Sequence, residues 1–239
     1  MHYRHRIADK LLENKLKGMG AVLVEGAKWC GKTTTAEQQA KSVLYMDQPK
    51  DRAMNLQLAQ INPDLLLNGD TPRLIDEWQI APELWDAVRF TVDHREGDGQ
   101  FILTGSVTPL HDDEDVEQEQ KIFHSGAGRI ARITMRPMTL WESGESCGQI
   151  SLEDLFGGSD KMVGINNLEL QDVAWLICRG GWPRAVDQDK DIALGRAFDY
   201  YDTVVNVDIK EPDGVERNPE RVKLLMRSYA RNQGTQVSL

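Results

Sequence analysis

The chain has few cysteines, no long apolar run and no excess of positive charge, and each absence excludes a class of protein. Its three cysteines, Cys30, Cys147 and Cys178, lie far apart and form no Cys-x-x-Cys pair, so neither a disulfide framework nor a zinc site is predicted. No apolar run approaches the roughly 20 residues of a membrane-spanning helix, and no signal-peptide core follows the first residues. We therefore predict a cytoplasmic protein with no membrane contact.

The net charge of −10 disfavours a protein that coats nucleic acid with its whole surface, because neutralising phosphates requires clustered Lys and Arg. One basic face is predicted on the last helix, where Lys223, Arg227 and Arg231 recur at a spacing of four residues. A solvated helix face is the simpler interpretation of this pattern. A protein or DNA partner bound through these three residues is the alternative.

The most informative stretch satisfies the pattern of a glycine, four residues and Gly-Lys-Thr, with Gly26, Gly31, Lys32 and Thr33 in the required places. A short apolar strand precedes it and a helix is predicted from Thr33 to Ser42. This strand, loop and helix order is the context in which the pattern binds phosphate, since the glycines let backbone N–H groups wrap a polyphosphate. Lys32 would reach the β- and γ-phosphates and Thr33 would bind Mg²⁺. The residues predicted to contact nucleotide here are Gly26, Ala27, Lys28, Trp29, Cys30, Gly31, Lys32, Thr33 and Thr34.

A second strand, within Arg73–Gln79, ends in the adjacent acids Asp76 and Glu77. In an enzyme with a phosphate-binding loop, the first acid binds Mg²⁺ through water and the second orients the water that attacks the γ-phosphate. Neighbouring side chains of a strand point apart, so both acids can serve one site only at the carboxyl tip of the strand. Ligands of doubly wound sheets bind at that edge.

Two further residues are predicted to act on the γ-phosphate. Ser106 follows the apolar strand that begins at Phe101, where its hydroxyl would sense the γ-phosphate or the attacking water, and a strand-end cap is the alternative. Arg129 opens a fifth predicted strand, and its guanidinium would stabilise the transferred phosphoryl group in the site of a neighbouring subunit. An ordinary surface arginine is the alternative for Arg129.

The composition changes to helices near residue 150, which divides the chain into two predicted regions. Residues 1–150 are predicted to form an α/β core in which helices sandwich a parallel sheet, and residues 151–239 a smaller helical region. A Gly-Gly-Trp-Pro turn interrupts the helices just before Arg184. Arg184 would approach the nucleotide from a lid, or form a salt bridge at a helix start.

Taken in order, the loop, the Asp76-Glu77 strand, the Thr104-Gly105-Ser106 tip and the Gly126–Arg129 stretch resemble AAA-type P-loop ATPases. The stretches Leu-Ile-Asp-Glu-Trp-Gln, Leu-Thr-Gly-Ser, Arg-Pro-Met-Thr-Leu-Trp-Glu-Ser-Gly and Gly-Gly-Trp-Pro are similar, more closely, to prokaryotic ATPases with an extra C-terminal domain of unknown function. The resemblance implies ATP and Mg²⁺ as ligands and a loop strand lying between the fifth and the sensor strand. It also implies that this chain stops before the additional domain.

Three functions remain open at this point. The first is a Mg²⁺-dependent ATPase that converts γ-phosphate occupancy into movement of the helical region. The second is a small-molecule kinase, which the acidic strand and the lack of a clear acceptor pocket or arginine-rich lid disfavour. The third is a nucleotide-gated interaction module with little hydrolysis, which an arginine missing from a neighbouring subunit would favour.

Overall fold

The structure is a computed structural model that describes residues 3–105, 126–158, 160, 163–208 and 218–236. The strands in this part of the chain are β1 (Ala21–Gly26), β2 (Ser42–Tyr45), β3 (Arg73–Asp76), β4 (Phe101–Gly105) and β5 (Ile130–Met135). The helices are α1 (Ile7–Leu16), α2 (Lys32–Glu37), α3 (Arg52–Ile61), α4 (Asp64–Leu67), α5 (Glu83–His94), α6 (Leu140–Ser143), α7 (Leu152–Phe156), α8 (Leu170–Arg179), α9 (Pro183–Val186), α10 (Lys190–Asn206) and α11 (Pro219–Arg231), with a 3₁₀ turn at Trp78–Ile80.

The five strands form one parallel sheet in the order β2-β3-β4-β1-β5. This confirms the predicted parallel α/β core, with β1 between β5 and β4, the strand predicted to precede the sensor residue, and with the acidic strand β3 next to β4. In the pairing register, Gly26 lies opposite Met135 and Asp76 lies opposite Thr104. The phosphate-binding loop and the two acids therefore lie at the same edge of the sheet, where β1 and β3 end.

Alternate residues of the strands pack into two cores, one on each face of the sheet, because side chains along a strand point to opposite faces. In β1, Leu23 contacts the core formed with α3, α4 and α5, whereas Val22 and Val24 contact the core formed with α1 and α2. All three side chains are almost fully buried. Burial on both faces explains why these strands are continuous apolar runs in the sequence.

The helix after the loop is shorter than predicted. It ends at Glu37 rather than Ser42, and the N–H groups of Gln38 and Gln39 bond to carbonyls three residues back, which tightens its last turn. Ser42 is the first residue of β2. Helical periodicity over so few residues was insufficient to separate the end of α2 from the start of the next strand.

The chain divides into two compact units by internal contacts. The first comprises residues 1–167 and 181–183 and contains the sheet, and the second comprises residues 168–180 and 184–239. In the second unit, α10 packs against both α8 and α11. The Trp175 ring there has the Arg179 guanidinium 5.1 Å and the Lys190 ammonium 5.3 Å from its centre. The prediction from composition placed the change near residue 150, within what the contacts group as the first unit.

Across the described ranges, no helix combines the length and apolar character that crossing a membrane requires.

Candidate functional site

The loop between β1 and α2 adopts backbone conformations that favour glycine at both ends of the motif. Gly26 has a φ of 149° and Gly31, which caps α2, has a φ of 100°. A Cβ on Gly26 would lie 2.1 Å from the carbonyl oxygen of Met135, so a side chain there would force the loop away from β5. Since α2 has only six residues, the loop amides rather than a long helix dipole must supply most of the attraction for an anion.

Lys32 lies inside the loop rather than in solvent. Its side chain is buried, and its Nζ donates to the carbonyl oxygens of Gly26 at 2.9 Å and Ala27 at 3.1 Å. An ammonium group has three donors, so two hydrogen bonds to the loop leave one for an anionic ligand. The contact of Lys32 with the β- and γ-phosphates stays a prediction.

The other loop residues differ in how far their side chains are exposed to solvent. Ala27, Trp29 and Thr34 are exposed, and Trp29 has a φ of 66°, an uncommon conformation for a residue with a side chain. Cys30 is fully buried, and its thiol faces the carbonyl oxygen of Met135 at 3.6 Å. Burial raises the pKa of the Cys30 thiol and so favours its neutral form.

Three side chains from three elements meet at the carboxyl edge of the sheet. Thr33, at the start of α2, donates from Oγ1 to Oδ1 of Asp76 at 2.7 Å, and Thr104 on β4 donates to the same oxygen at 2.5 Å. Asp76 is almost completely buried at the end of β3. The threonine of the loop and the first acid are therefore in direct contact.

Burial dominates the electrostatics of Asp76. It raises the pKa of the carboxyl, the hydrogen bonds from Thr104 and Thr33 oppose that change, and the neighbouring acids Asp47 and Glu37 add to it. Burial and the charges of these acids therefore both disfavour the ionised form of Asp76. A divalent cation at this point would favour the ionised form and relieve the repulsion.

Glu77 leaves the strand in a left-handed backbone conformation, with φ 56° and ψ 46°. This turn breaks the alternation of a strand, so the two adjacent acids need not point to opposite faces. Non-glycine residues in this conformation concentrate at functional sites. Burial raises the pKa of the Glu77 carboxyl, a hydrogen bond from Gln79 opposes the change, and the charge of Asp76 adds to it.

The donor set at this edge fits Mg²⁺ rather than a transition metal. Among the described residues no three His, Cys, Asp or Glu side chains cluster as a complete metal cage. The hydroxyl of Thr33 and the carboxylate of Asp76 are hard oxygen donors, and Mg²⁺ is commonly held by one or two protein groups together with waters and substrate phosphates. These two residues would hold it.

Three further residues were predicted to serve this site. Ser106 lies outside the described residues. Arg129 lies at the opposite edge, where its carbonyl accepts from Ala21 at the start of β1 and its Nε donates to both carboxylate oxygens of Asp93 at 2.7 and 2.9 Å. Arg184 belongs to the second compact unit, in α9.

The basic residues of the last helix are all on α11, which Asn218 caps. The Nζ of Lys223 lies 3.0 Å from the carboxylate of Glu220, whereas Arg227 and Arg231 are exposed. A protein or DNA partner for this face remains a prediction.

Three side chains at the site were not among the residues predicted from the sequence. Gln79 hydrogen-bonds to Glu77 through its side-chain amide, and Arg6 and Glu142 form a buried ion pair beneath the loop. Gln79 is within the same short stretch as the acids and could have been found there. Arg6 and Glu142 are 136 residues apart, and no local pattern links them.

The chain was compared with protein-family models, curated sequences and solved structures. No curated protein sequence matches the chain significantly. Among solved structures, the Walker-type ATPase PABY2304 of Pyrococcus abyssi is similar over 99% of this chain and 86% of its own, with 15% identity and a TM-score of 0.47. Residues 170–239 match a family model described as a domain of unknown function. Residues 19–143, more than half of the chain, match the model of the AAA domain, and the chain therefore belongs to this family of P-loop ATPases.

Proposed function

We propose that this protein is a Mg²⁺-dependent ATPase whose nucleotide state is coupled to movement of its helical unit. The observation that carries the proposal is the 2.7 Å hydrogen bond between Thr33 and Asp76. It joins the phosphate-binding loop to the acidic strand, which are separated by 43 residues in the sequence. Phosphoryl transfer requires the phosphate-binding loop and the metal-binding acid to lie next to each other.

Each residue has a distinct role in this proposal. The loop amides and Lys32 bind and orient the β- and γ-phosphates, and Thr33 and Asp76 hold the metal ion. Mg²⁺, when bound, supplies neutralising charge to the phosphate oxygens. Glu77 orients the attacking water and accepts its proton, since it lies beside Asp76 and its burial makes it a stronger base than an exposed carboxylate.

The coupling to movement is supported by the path of the chain. The polypeptide passes between the two units at residues 167–168, 180–181 and 183–184. The Gly-Gly-Trp-Pro turn, which contains Gly181 and Pro183, occupies the last two of these crossings. A change in the nucleotide state of the first unit would act on the second through these connections.

Phosphate release from ATP, measured at several protein concentrations, tests the proposal. We expect release that requires Mg²⁺ and a rate per subunit that rises with concentration if neighbouring subunits complete each site. Tight ATP binding with no release at any concentration would instead favour the nucleotide-gated interaction module. Transfer of phosphate to a metabolite would favour the kinase.

Gln79 is expected to hold Glu77 in its working orientation. Its amide donates to the Glu77 carboxylate, and Gly105 leaves room for its carbonyl oxygen, because a Cβ at position 105 would lie 2.5 Å from that oxygen. Gln79→Ala should lower kcat about tenfold and leave the Kd for ATP unchanged, since a hydrogen bond to a charged group contributes about 1.5–3 kcal/mol. Steady-state phosphate release checks this. Exposed Gln48 provides the control, and an unchanged kcat in Gln79→Ala would reject the role.

Arg129 is expected to act only in a neighbouring subunit. It directly precedes β5, and five residue steps of β1 separate the two sheet edges, roughly 16 Å at 3.3 Å per residue. That distance exceeds the length of an arginine side chain. Arg129→Ala should lower kcat about a hundredfold or more without changing ATP binding.

Mixing separates this role from a structural one. Subunits carrying Arg129→Ala should regain turnover when mixed with subunits carrying Lys32→Ala, because each supplies what the other lacks. Asp93→Asn, which removes only the carboxylate partner of Arg129, is the matched control for the lost ion pair. No recovery on mixing would contradict a shared site.

A further inference from the structure

Arg6, which directly precedes α1, is buried beneath the phosphate-binding loop and uses every nitrogen of its guanidinium group. Nε donates to the carboxylate of Glu142 at 3.0 Å, and Nη2 donates to the carbonyl oxygen of Arg136 at 2.8 Å. Nη1 donates to the carbonyl oxygen of Cys30, within the loop, at 2.9 Å. One side chain thus joins the N-terminal segment, the loop and the segment after β5.

The carboxylate of Glu142, like the guanidinium of Arg6, hydrogen-bonds to several groups. Besides the guanidinium, it accepts from the backbone N–H of Ile7 at 2.8 Å and from that of Thr139 at 2.7 Å. Both members of the ion pair have side chains only 4% exposed. Glu142 belongs to the Arg-Pro-Met-Thr-Leu-Trp-Glu-Ser-Gly stretch of the sequence, and its position in the loop support gives this stretch a physical role.

The bond to Cys30 fixes the orientation of one peptide unit in the loop. In a trans peptide the C=O of one residue and the N–H of the next point in opposite directions. Holding the Cys30 carbonyl toward Arg6 therefore turns the N–H of Gly31 away from Arg6. A Cβ on Gly31 would lie 3.2 Å from the Arg6 Nη1, which gives a second reason for glycine at this position.

A buried ion pair adds little stability compared with apolar side chains of the same volume. Stability alone therefore does not account for two charged residues at this position. The buried backbone carbonyl of Cys30 does need a donor, because a buried carbonyl without a partner is costly. A guanidinium group supplies planar, fixed donors to this carbonyl, to that of Arg136 and to the carboxylate of Glu142 at once.

We propose that Arg6 and Glu142 are positioning residues that set the phosphate-binding loop so that its amides face the nucleotide phosphates. The inference rests on the proposed nucleotide-binding function of the same loop. In this proposal the pair acts on the ligand only through the loop, which Arg6 contacts at the Cys30 carbonyl. This positioning role predicts that loss of the pair weakens binding of the phosphates, whereas loss of Glu77 slows turnover.

Arg6→Lys tests this, because a lysine keeps the charge and cannot make the three fixed bonds of the guanidinium. The Kd for Mg-ATP, measured by calorimetry on the full chain, should rise about tenfold to a hundredfold, since one charged hydrogen bond in the loop is lost. KM should rise by a similar factor while kcat at saturating ATP stays within about threefold of wild type, as expected when an interaction is equal in ground and transition states.

Arg4→Lys is the matched control, because Arg4 lies on the same segment and donates to the carbonyl of Ser143 on α6 at 3.1 Å. It should bind ATP like wild type. If Arg6→Lys does not fold, the double variant Arg6→Met with Glu142→Gln replaces it, since no unpaired charge is then buried. Wild-type Kd in either folded Arg6 variant overturns the positioning role, whereas a wild-type chain that binds no ATP overturns the proposed function itself.

Discussion

Glu77→Gln is expected to bind ATP with wild-type affinity and to release phosphate at least about a hundred times more slowly, because a general base contributes about 10²–10⁴-fold. The substitution keeps the shape of the side chain and removes the charge that attracts and deprotonates water. Glu77 contacts neither the loop carbonyls nor the Thr33 hydroxyl through any described hydrogen bond, so the ground-state complex should be unaffected. Calorimetry and a phosphate-release assay on the same preparation measure the two quantities.

Glu96→Gln provides the control, because Glu96 is an exposed acid in the turn after α5. Its turnover should equal that of wild type. Glu77→Gln with wild-type turnover would reject the assigned role, and loss of ATP binding in that variant would show that Glu77 acts on the ligand rather than on water.

Lys32→Ala is expected to weaken ATP binding about tenfold to a hundredfold or more, since a charged hydrogen bond is worth about 1.5–3 kcal/mol. The variant also removes both bonds that Nζ makes to the loop carbonyls of Gly26 and Ala27, so the loop itself should lose order. The loss of affinity should be larger for ATP and ADP than for adenosine, which has no phosphate for the ammonium to bind.

Lys41→Ala removes the same charge from an exposed position after α2 and should not change any of these affinities. Equal weakening in the two variants would show a general effect of net charge. Unchanged ATP binding in Lys32→Ala would place the nucleotide elsewhere.

The sheet and the centre of the site were predictable because short-range patterns specify them. Lys32 and Thr33 follow from a motif whose strand and helix flank it, and Asp76 follows from the rule that parallel strands present ligands at their carboxyl edge. For this prediction it was enough to know which residues follow the end of each strand. The structure adds that Thr104 on β4 shares the same Asp76 oxygen as Thr33.

Other parts depend on contacts between residues far apart in sequence. No local pattern pairs Arg6 with Glu142, because the two come together only when α1 packs against the sheet and the segment after β5 turns back beneath the loop. The left-handed conformation of Glu77 was likewise not predictable from the sequence, since a glutamate gives no indication of a positive φ. Arg129 is predicted to serve a neighbouring site, and in its own chain it lies at the sheet edge opposite Asp76.

Calorimetric titration of the wild-type chain with ATP, once with Mg²⁺ and once with a chelator, tests the central claim most directly. The contact between Thr33 and Asp76 predicts saturable binding of one ATP per chain that tightens when Mg²⁺ is present. Absence of binding heat under both conditions, or binding that Mg²⁺ does not change, would contradict it.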